Sequence, residues 1–326
     1  MVPFDRIIDY LRISVTDHCN ERCLYCMPEG YKGWSQRQDH MTSTEIIRVA
    51  EAATELGFRK FRLTGGEPLL RSDIIEIARR LWDLPGVQTL GLSTNGTRLA
   101  EMAVDLKQAG VRSVNISLDA LDAKLYKRIT GGRLESVLSG IETAQSAGFE
   151  VIKINCVLMR GVNEHEFLPL IRFTAEHDML LRFIELMPLS SANMLDQTNF
   201  LSVTELMSRL ETEGKLIPRS DFRPGHGPAR YYDCTIPRLR KPARLGFIGA
   251  ITTPHFCETC NKLRMTADGK LRPCLGHHGE IDLLHHLRSQ NADPLELLRE
   301  AIANKPENHG FNDHYQPVRP MTAIGG

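Results

Sequence analysis

The sequence predicts an α/β fold in which an incomplete (β/α)6 barrel, similar to a TIM barrel, precedes a smaller C-terminal domain. Short apolar runs alternate with longer amphipathic stretches up to about residue 187, and this rhythm is lost beyond it. Glycines follow several of the predicted helices. Because βα crossovers are right-handed, we expect parallel strands with ligand chemistry at their C-terminal ends. A doubly wound open sheet fits the same alternation and stays an alternative.

Six short runs are predicted to form strands, and five longer stretches are predicted to form helices between them. The strands are Leu11–Val15, Lys60–Leu63, Thr89–Ser93, Ser113–Leu118, Val151–Val157 and Leu181–Leu186. The helices lie near residues 44–56, 73–82, 98–108, 135–147 and 164–177. This order of elements is a βα repeat.

The predicted helix ends carry typical boundary residues. Thr42 with Glu45, and Asn163 with Glu166, have the spacing of a capping box, in which two side chains satisfy backbone donors at the start of a helix. Glycines stand where a left-handed residue commonly ends a helix, at Gly57, Gly110 and Gly148.

The residues beyond the sixth strand are predicted to form a second unit. We place a soft boundary near residue 220, between a barrel of residues 1–220 and a C-terminal domain of residues 221–326. The second unit holds a strand-like run, Leu245–Ile251, and two short helices near residues 281–303.

Composition excludes several classes of protein. Hydrophobic residues make up 42% of the 326, which supports a sizeable core. Lys and Arg total 40, as do Asp and Glu, so the chain lacks the broad basic character of a nucleic-acid-binding protein. No apolar run is long enough to span a membrane, and residues 1–12 lack the apolar part of a signal peptide. We therefore expect a cytoplasmic protein whose eight cysteines serve metal binding or catalysis rather than disulfides.

Three cysteines, Cys19, Cys23 and Cys26, follow the first predicted strand with the spacing C-x3-C-x2-C. Thiolates at this spacing can each bind one iron of a [4Fe–4S] cluster and leave the fourth iron open to a small molecule. A zinc site needs a fourth ligand, and His18 is poorly placed to share a metal with its neighbour Cys19. Spacing alone favours an iron–sulfur site over zinc and over structural or redox thiols.

A second group, Cys257, Cys260 and Cys274, has the spacing C-x2-C-x13-C. Here His277 or His278 could complete a zinc site, so spacing alone leaves zinc and iron–sulfur nearly even. The stretch between the second and third cysteines is basic and contains an Asp-Gly turn typical of a hairpin, so it can present cations beside a metal. We interpret this as favouring iron–sulfur. The two remaining cysteines are interpreted as small hydrophobic residues, namely Cys156 and Cys234.

The first cysteine group resembles the signature of the radical S-adenosylmethionine (SAM) superfamily, C-x3-C-x-Y-C, with Tyr25 before its last cysteine. Thr64–Pro68, after the second strand, resembles the superfamily's GGE motif, which binds the methionine amino group. The resemblance implies that SAM binds the open iron of a [4Fe–4S] cluster and is cleaved by reduction to a 5′-deoxyadenosyl radical. It implies that four residues bind this cofactor: Tyr25, Gly66, Ser117 and Met187.

A narrower resemblance covers nearly the whole chain. Arg12–Asp17, both cysteine patterns and the terminal Gly325-Gly326 are together similar to the GTP 3′,8-cyclase family, the radical SAM enzymes that open molybdenum cofactor biosynthesis. The resemblance implies two [4Fe–4S] clusters, of which the first generates the radical and the second binds guanine. The implied reaction abstracts hydrogen from ribose C3′ of GTP, joins that carbon to guanine C8, and passes the product to cyclic pyranopterin monophosphate synthase.

The resemblance also implies a set of substrate-binding residues, namely Arg12, Arg62, Ser93, Lys153, Arg182, Lys262 and Arg264. Several of these cations lie within predicted strands, where a solvated surface role is less expected than on a helix. Lys262 stands where the family has arginine, so a bidentate contact is lost there. The family's diglycine reaches the active site and assists catalysis, whereas a frayed terminus is the alternative for Gly325 and Gly326.

Two rival functions stay open at this stage. A radical SAM enzyme that modifies peptides would use an auxiliary-cluster domain, usually with more C-terminal cysteines than are present here. A zinc-binding or redox regulator on a βα scaffold is the second rival. The sequence does not fix the electron donor or the oligomeric state, for which a homodimer is one possibility.

Overall fold

A computed structural model describes residues 3–27, 31–34, 39–189, 197–289, 292–313 and 315–325. The first six strands are β1 Tyr10–Ser14, β2 Lys60–Thr64, β3 Thr89–Thr94, β4 Ser113–Ser117, β5 Val151–Leu158 and β6 Leu180–Glu185. The remaining strands are β7 Lys215–Pro218, β8 Arg230–Thr235, β9 Ala243–Ile248, β10 Lys262–Met265, β11 Lys270–Arg272 and β12 Ile281–Asp282.

Helices alternate with the first six strands and then surround the later ones. The helices of the first part are α1 Ser43–Glu55, α2 Ile74–Trp82, α3 Leu99–Gln108, α4 Ala123–Thr130, α5 Leu134–Ser146 and α6 Phe167–Glu176. Those of the second part are α7 Val203–Glu213, α8 Leu283–Ser289, α9 Pro294–Ala303 and α10 Met321–Ile324. Among the described residues, no helix combines the length and apolar character needed to cross a membrane.

The twelve strands of the described residues join one sheet, in the order β12-β11-β10-β1-β2-β3-β4-β5-β6-β9-β8-β7. The strands from β10 through β1–β6 to β9 run parallel, and short antiparallel strands extend both edges. Within the described ranges β9 and β10 do not pair, so the sheet stays open. The predicted incomplete barrel is confirmed, and two strands from the C-terminal part of the chain lengthen its wall. The boundary predicted near residue 220 falls between β7 and β8 and stays a prediction.

The barrel strands place apolar residues outside and polar residues inside, because successive side chains of a strand point to opposite faces. On β1, Leu11 and Ile13 are fully buried in the core beneath the helices, whereas Tyr10 and Arg12 line the inside of the barrel. Cys156 and Cys234 are fully buried in the outer core, as predicted for small hydrophobic residues. The core therefore lies between sheet and helices and leaves a polar interior.

The predicted strands and helices agree with the observed ones to within a few residues. The sequence analysis missed several other elements, which are β7, β8, β12, α7, α10 and, within the barrel, α4. The boundary signals of α4 were present: the Asp122 carboxylate accepts a hydrogen bond from Leu125 N at 2.7 Å, and Gly131 ends the helix at φ 71°. A short helix between two longer elements is easily absorbed into a predicted loop.

One predicted helix cap is confirmed and one is wrong. Thr42 and Glu45 form the expected reciprocal capping box at the start of α1. Asn163 makes no capping bond; its buried Nδ2 donates to Asp119 O at 3.1 Å and to Val157 O at 2.9 Å. The amide instead satisfies carbonyl groups at the ends of β4 and β5, where an unpaired buried acceptor would be costly.

Candidate active site

One cavity of about 340 Å³ runs through the interior of the barrel and contains both cysteine groups. All six cysteines of the predicted metal sites contribute to its lining: Cys19, Cys23, Cys26, Cys257, Cys260 and Cys274. The two groups therefore open into one space, which a reaction that uses both requires.

The first cysteine group lies in the loop after β1, at the C-terminal ends of the strands. This loop is held against the end of α4, because Arg22 N donates to Thr130 O at 2.7 Å and Leu24 N donates to Ile129 O at 2.9 Å. The helix α4, which the sequence analysis missed, thus anchors the loop that carries the first three thiols.

The Gly-Gly turn after β2 packs directly against the same loop. Gly66 N donates to Thr16 O at 2.8 Å, and a Cβ on Gly66 would lie 2.3 Å from His18 O. Gly65 has a φ of 150° and would place a Cβ 2.3 Å from Thr16 O. A side chain at either glycine would displace the loop next to Cys19, so the close approach explains both glycines.

Three buried carboxyl groups surround the first cysteine group. Glu21 accepts a hydrogen bond from the Tyr126 hydroxyl at 2.7 Å, and Asp119 accepts one from the Tyr25 hydroxyl at 2.8 Å. Burial raises the pKa of Glu21 and of Glu67 to about 7, and that of Asp119 to about 6. The sequence analysis did not single out Glu21 or Asp119, although a carboxylate just after β4 was a usable signal.

Burial also acts on the thiols of this group. It raises the pKa of Cys19 and of Cys26 to about 12, with Glu67 and Glu21 adding to the effect at Cys19, and it raises the pKa of Cys23 well above its usual value. Without metal these thiols are protonated near neutral pH. Cluster binding must therefore release their protons.

The spacing of the donor atoms separates a cluster from a single zinc ion. Zinc binds sulfur at 2.3 Å, so tetrahedral ligands lie about 3.8 Å apart. In the described part of the chain, the only set of three potential ligands with all donor atoms within 4.8 Å of one another is Asp17, His18 and His40. Neither cysteine group is that compact, which disfavours zinc and suits a larger cluster.

The histidines proposed as zinc ligands are also engaged elsewhere. His277 Nε2 lies 2.9 Å from Asn308 O, and the His278 ring stacks on Tyr315 with centroids 4.7 Å apart. The residues of the second group therefore fit three-thiolate ligation of a cluster better than a Cys3His zinc site.

The second cysteine group lies at the opposite end of the cavity, beside the start of β10. Because Lys262 pairs in register with Tyr10, Cys260 lies near the N-terminal ends of β1 and β10, away from the expected end of the barrel. Lys262, Arg264 and Lys305 line this end. The pKa of Cys260 is lowered to about 7, because burial, which raises it, is outweighed by the charges of these three cations and a hydrogen bond from the backbone of Lys262.

Six of the seven predicted substrate-binding residues line the cavity, namely Arg12, Arg62, Ser93, Arg182, Lys262 and Arg264. Lys153 is only 4% exposed and lies on the same face of β5 as Asn155, where Gly225 covers it closely enough that a Cβ there would lie 2.6 Å from Lys153 Nζ. Its pKa is lowered to about 6 by burial and then by the charges of Arg182 and Arg62.

The guanidinium groups inside the barrel are held by neutral oxygen atoms. Arg62 donates to the Tyr10 hydroxyl at 2.6 Å and to Leu92 O at 2.7 Å, while Arg182 donates to Asn155 Oδ1 at 2.6 and 2.9 Å. These contacts orient the side chains without neutralising them. Burial lowers the pKa of Arg182, and it lowers that of Arg12 to about 9 with the help of Arg264, as expected in a crowd of like charges.

All four residues predicted to bind the cofactor line the cavity: Tyr25, Gly66, Ser117 and Met187. The carbonyl of Gly325 accepts a hydrogen bond from Arg264 Nη1 at 2.8 Å, and a Cβ on Gly325 would lie 3.0 Å from Ser14 Cβ, so the tail lies inside the barrel between Arg264 and the C-terminal end of β1. Gly326 lies outside the described residues. Upstream, Arg319 pairs with Asp268 at 2.7 Å and with Glu280 at 2.8 Å and so fixes the tail to the second half of the chain.

Comparison with known proteins gives the family. The model of the Radical SAM superfamily matches residues 13–174, and the model of Molybdenum Cofactor Synthesis C matches residues 179–311. A GTP 3′,8-cyclase from Thermodesulfovibrio yellowstonii is 41% identical over 99% of both chains, and one from Listeria monocytogenes is 39% identical over 99% of this chain and 98% of its own. The chain belongs to the GTP 3′,8-cyclase family. It is therefore an enzyme of the radical SAM class, which uses a [4Fe–4S] cluster and SAM.

Solved structures confirm the fold class. The crystal structure of Streptococcus suis SuiB bound to S-adenosylmethionine has a TM-score of 0.58 and 15% identity to this chain. The superposed region covers 93% of this chain and 76% of SuiB. SuiB bound to the precursor peptide SuiA has the same score and identity, with 89% and 66% covered. At this identity the likeness concerns the fold alone.

Proposed function

We propose that the chain converts GTP to (8S)-3′,8-cyclo-7,8-dihydroguanosine 5′-triphosphate and thereby opens molybdenum cofactor biosynthesis, with one [4Fe–4S] cluster in each cysteine group. The observation that carries the proposal is the single cavity that joins both groups through a cation-lined barrel. When bound, the first cluster and SAM supply the radical that abstracts hydrogen from ribose C3′. Cys257, Cys260 and Cys274 hold the cluster that receives the guanine.

The barrel cations orient the triphosphate between the two ends of the cavity. Arg12, Arg182 and Arg264 are buried or half-buried and line the wall, so water screens their charges less than at a surface. Each charge-assisted hydrogen bond contributes about 1.5–3 kcal/mol. Lys262 supplies one point charge where a guanidinium would make two parallel bonds, so we expect it to hold its ligand with less directional control.

The carboxyl groups at the other end suit the positive charges of SAM. Glu67 is fully buried and accepts hydrogen bonds from Thr94 Oγ1 and Asn95 N, both at 2.7 Å, so its carboxylate also fixes the end of β3. Asp119 holds the Tyr25 hydroxyl and so orients the aromatic ring before Cys26. An ammonium and a sulfonium placed near these groups would lower their pKa and keep them ionised.

A small apolar cluster closes the cavity beside the tail. Leu189, Phe311 and Ile324 pack together, and Met187 and Met321 join them. Excluding water here protects a reactive radical from side reactions and strengthens the electrostatic contacts inside. The tail thus contributes to the wall of the site as well as reaching Arg264.

Several wider assignments belong to the same proposal. The enzyme works in the cytoplasm, takes electrons from a donor that the sequence does not identify, and passes its product to cyclic pyranopterin monophosphate synthase. A homodimer is the oligomeric state to test by sedimentation.

Anaerobic reconstitution followed by product analysis tests the proposal. We expect about eight irons and eight sulfides per chain, the content of two [4Fe–4S] clusters. Incubation with GTP, SAM and reductant should yield equal amounts of 5′-deoxyadenosine and the cyclised nucleotide by mass spectrometry. One or two zinc ions per colourless chain, or SAM cleavage that GTP never couples to cyclisation, would contradict it.

The alternative, a peptide-modifying enzyme, is supported by the likeness of this fold to that of SuiB and by no other observation. The two relatives named above match over 98–99% of their own length and carry the name GTP 3′,8-cyclase, whereas SuiB is only 15% identical. Binding of GTP to the reconstituted protein in competition with guanosine distinguishes the two functions. Absence of GTP binding would favour the peptide alternative.

A further inference from the structure

The segment after α9 connects two of the cysteine-bearing stretches of the second group. Lys305 is 4% exposed, and its Nζ donates to Lys262 O at 2.8 Å and to Pro273 O at 2.7 Å. Lys262 lies two residues after Cys260, and Pro273 directly precedes Cys274. One buried ammonium therefore joins the backbones that carry these two thiols.

Arg6 makes the connection to the remaining cysteine. It is 6% exposed, and its guanidinium donates to Cys257 O at 3.0 Å, to Glu307 O at 2.9 Å and to Pro306 O at 2.6 Å. Because residues 305–307 are consecutive, the two cations and this segment form one hub that meets all three cysteine stretches.

The charge of Lys305 also acts directly on the sulfur atoms. Lys305 lines the cavity, and its ammonium interacts electrostatically with both Cys260 and Cys274. An ammonium has three N–H donors, so one remains after the two carbonyl groups are satisfied. Charge and hydrogen bonds near the sulfurs of an iron–sulfur cluster set its reduction potential.

We propose that Lys305 is a positioning residue of the second site that holds two ligand stretches in place and raises the reduction potential of the cluster bound there. Reduction adds negative charge to the cluster, and a buried cation beside it favours the reduced state. The inference rests on the proposed function, since it requires a cluster in the second cysteine group.

The test compares Lys305→Met with Lys305→Arg in the full-length, anaerobically reconstituted enzyme. Iron per chain is measured first, and both clusters are then titrated by electron paramagnetic resonance. The signal that changes on addition of SAM is assigned to the first cluster, and the other to the second. We expect Lys305→Met to shift the reduced-to-oxidised ratio of the second cluster about tenfold toward oxidised at fixed potential, equal to about 59 mV for one electron. Lys305→Arg keeps the charge and should therefore show little of this shift, and the first cluster should keep its potential in both variants.

Arg299→Met is the matched control, because it removes one positive charge from an exposed position on α9. It should leave both potentials unchanged. If Lys305→Met fails to load the second cluster, Lys305→Gln retains a donor without the charge and should show the same tenfold shift. A second cluster of unchanged potential in either variant overturns the inference alone, whereas about four irons in the unsubstituted enzyme would overturn the proposed function itself.

Discussion

The two cysteine groups share one cavity but lie in opposite electrostatic surroundings. The first is bordered by buried carboxyl groups and has thiols whose pKa is raised to about 12, as at Cys19. The second is bordered by buried cations, which lower the pKa of Cys260 to about 7, whereas burial still raises the pKa of Cys257 and of Cys274. In the proposed function the first group takes a cofactor that carries a sulfonium and the second takes a polyanionic nucleotide. A formal net charge of zero therefore conceals a strongly polarised interior.

Removing one thiol from each group should have the largest effect and should separate their roles. Cys19→Ala is expected to abolish SAM cleavage, whereas Cys257→Ala should leave some uncoupled cleavage and lose cyclisation. The reason is that the first group supplies the radical and the second only receives the substrate. Both products are quantified by mass spectrometry.

Cys234→Ala is the control for thiol loss, because Cys234 is fully buried in β8 and lies outside both groups. It should keep about eight irons per chain. Cyclisation of GTP by Cys257→Ala would show that the role assigned to the second group is wrong.

Arg264→Ala tests whether the cations near the second cysteine group bind the nucleotide. Losing a charge-assisted contact of about 1.5–3 kcal/mol should weaken GTP binding by about 10–100-fold. SAM binding, at the carboxylate-lined end, should change far less. Equilibrium binding of both ligands to the reconstituted enzyme measures this, and equal losses would indicate a general structural defect instead.

Alkylation of the cluster-free protein tests the difference in thiol acidity. Cys260 and Cys19 are both partly exposed, but at pH 7 about half of a thiol with a pKa near 7 is thiolate, against a negligible fraction for a pKa near 12. We expect iodoacetamide to modify Cys260 at least about tenfold faster than Cys19. Peptide mapping over time gives both rates, and similar rates at pH 7 would remove the basis of the comparison.

The smallest expected effect concerns the proton that Lys153 takes up when GTP binds. The pKa of Lys153 in the folded protein is about 6, below the ordinary value of 10.5 for lysine. Between these two values the unfolded chain binds more protons, so the contribution of Lys153 to stability rises with pH. Phosphate charge in the cavity should raise this pKa, so GTP binding at pH 7.5 should take up as much as about one proton. Calorimetry in buffers of different ionisation enthalpy measures the uptake. Lys153→Met should reduce it, and an unchanged uptake would place the proton elsewhere.

Local patterns in the sequence were sufficient for the barrel and for the family. The strand rhythm, the C-x3-C-x-Y-C spacing and the Asp-Gly turn each act within a few residues, and the structure confirms the βα order and the β10–β11 hairpin. Three polar residues were missed because their roles depend on the assembled site. They are Glu21, Asp119 and Lys305.

Contacts between distant parts of the chain could not be predicted from pattern. Nothing local indicates that β10 pairs with β1, or that Arg6 reaches the segment after α9. Asn163 shows the same limit, since its capping spacing was correct but buried carbonyl groups competed successfully for its amide. The capping rule considers only hydrogen bonds between a side chain and the backbone of its own helix, and it takes no account of competing carbonyl groups elsewhere in the fold.

The pairing of β1 with β10 has a consequence for how the protein is made. Asp9 and Asn261 are hydrogen-bonded across 252 residues, so the outer edge of β1 lacks its final neighbour until most of the chain has left the ribosome. Closing so long a loop is slow, and an uncovered edge strand invites wrong pairing. We therefore expect chaperone assistance during synthesis, until β10 covers this edge.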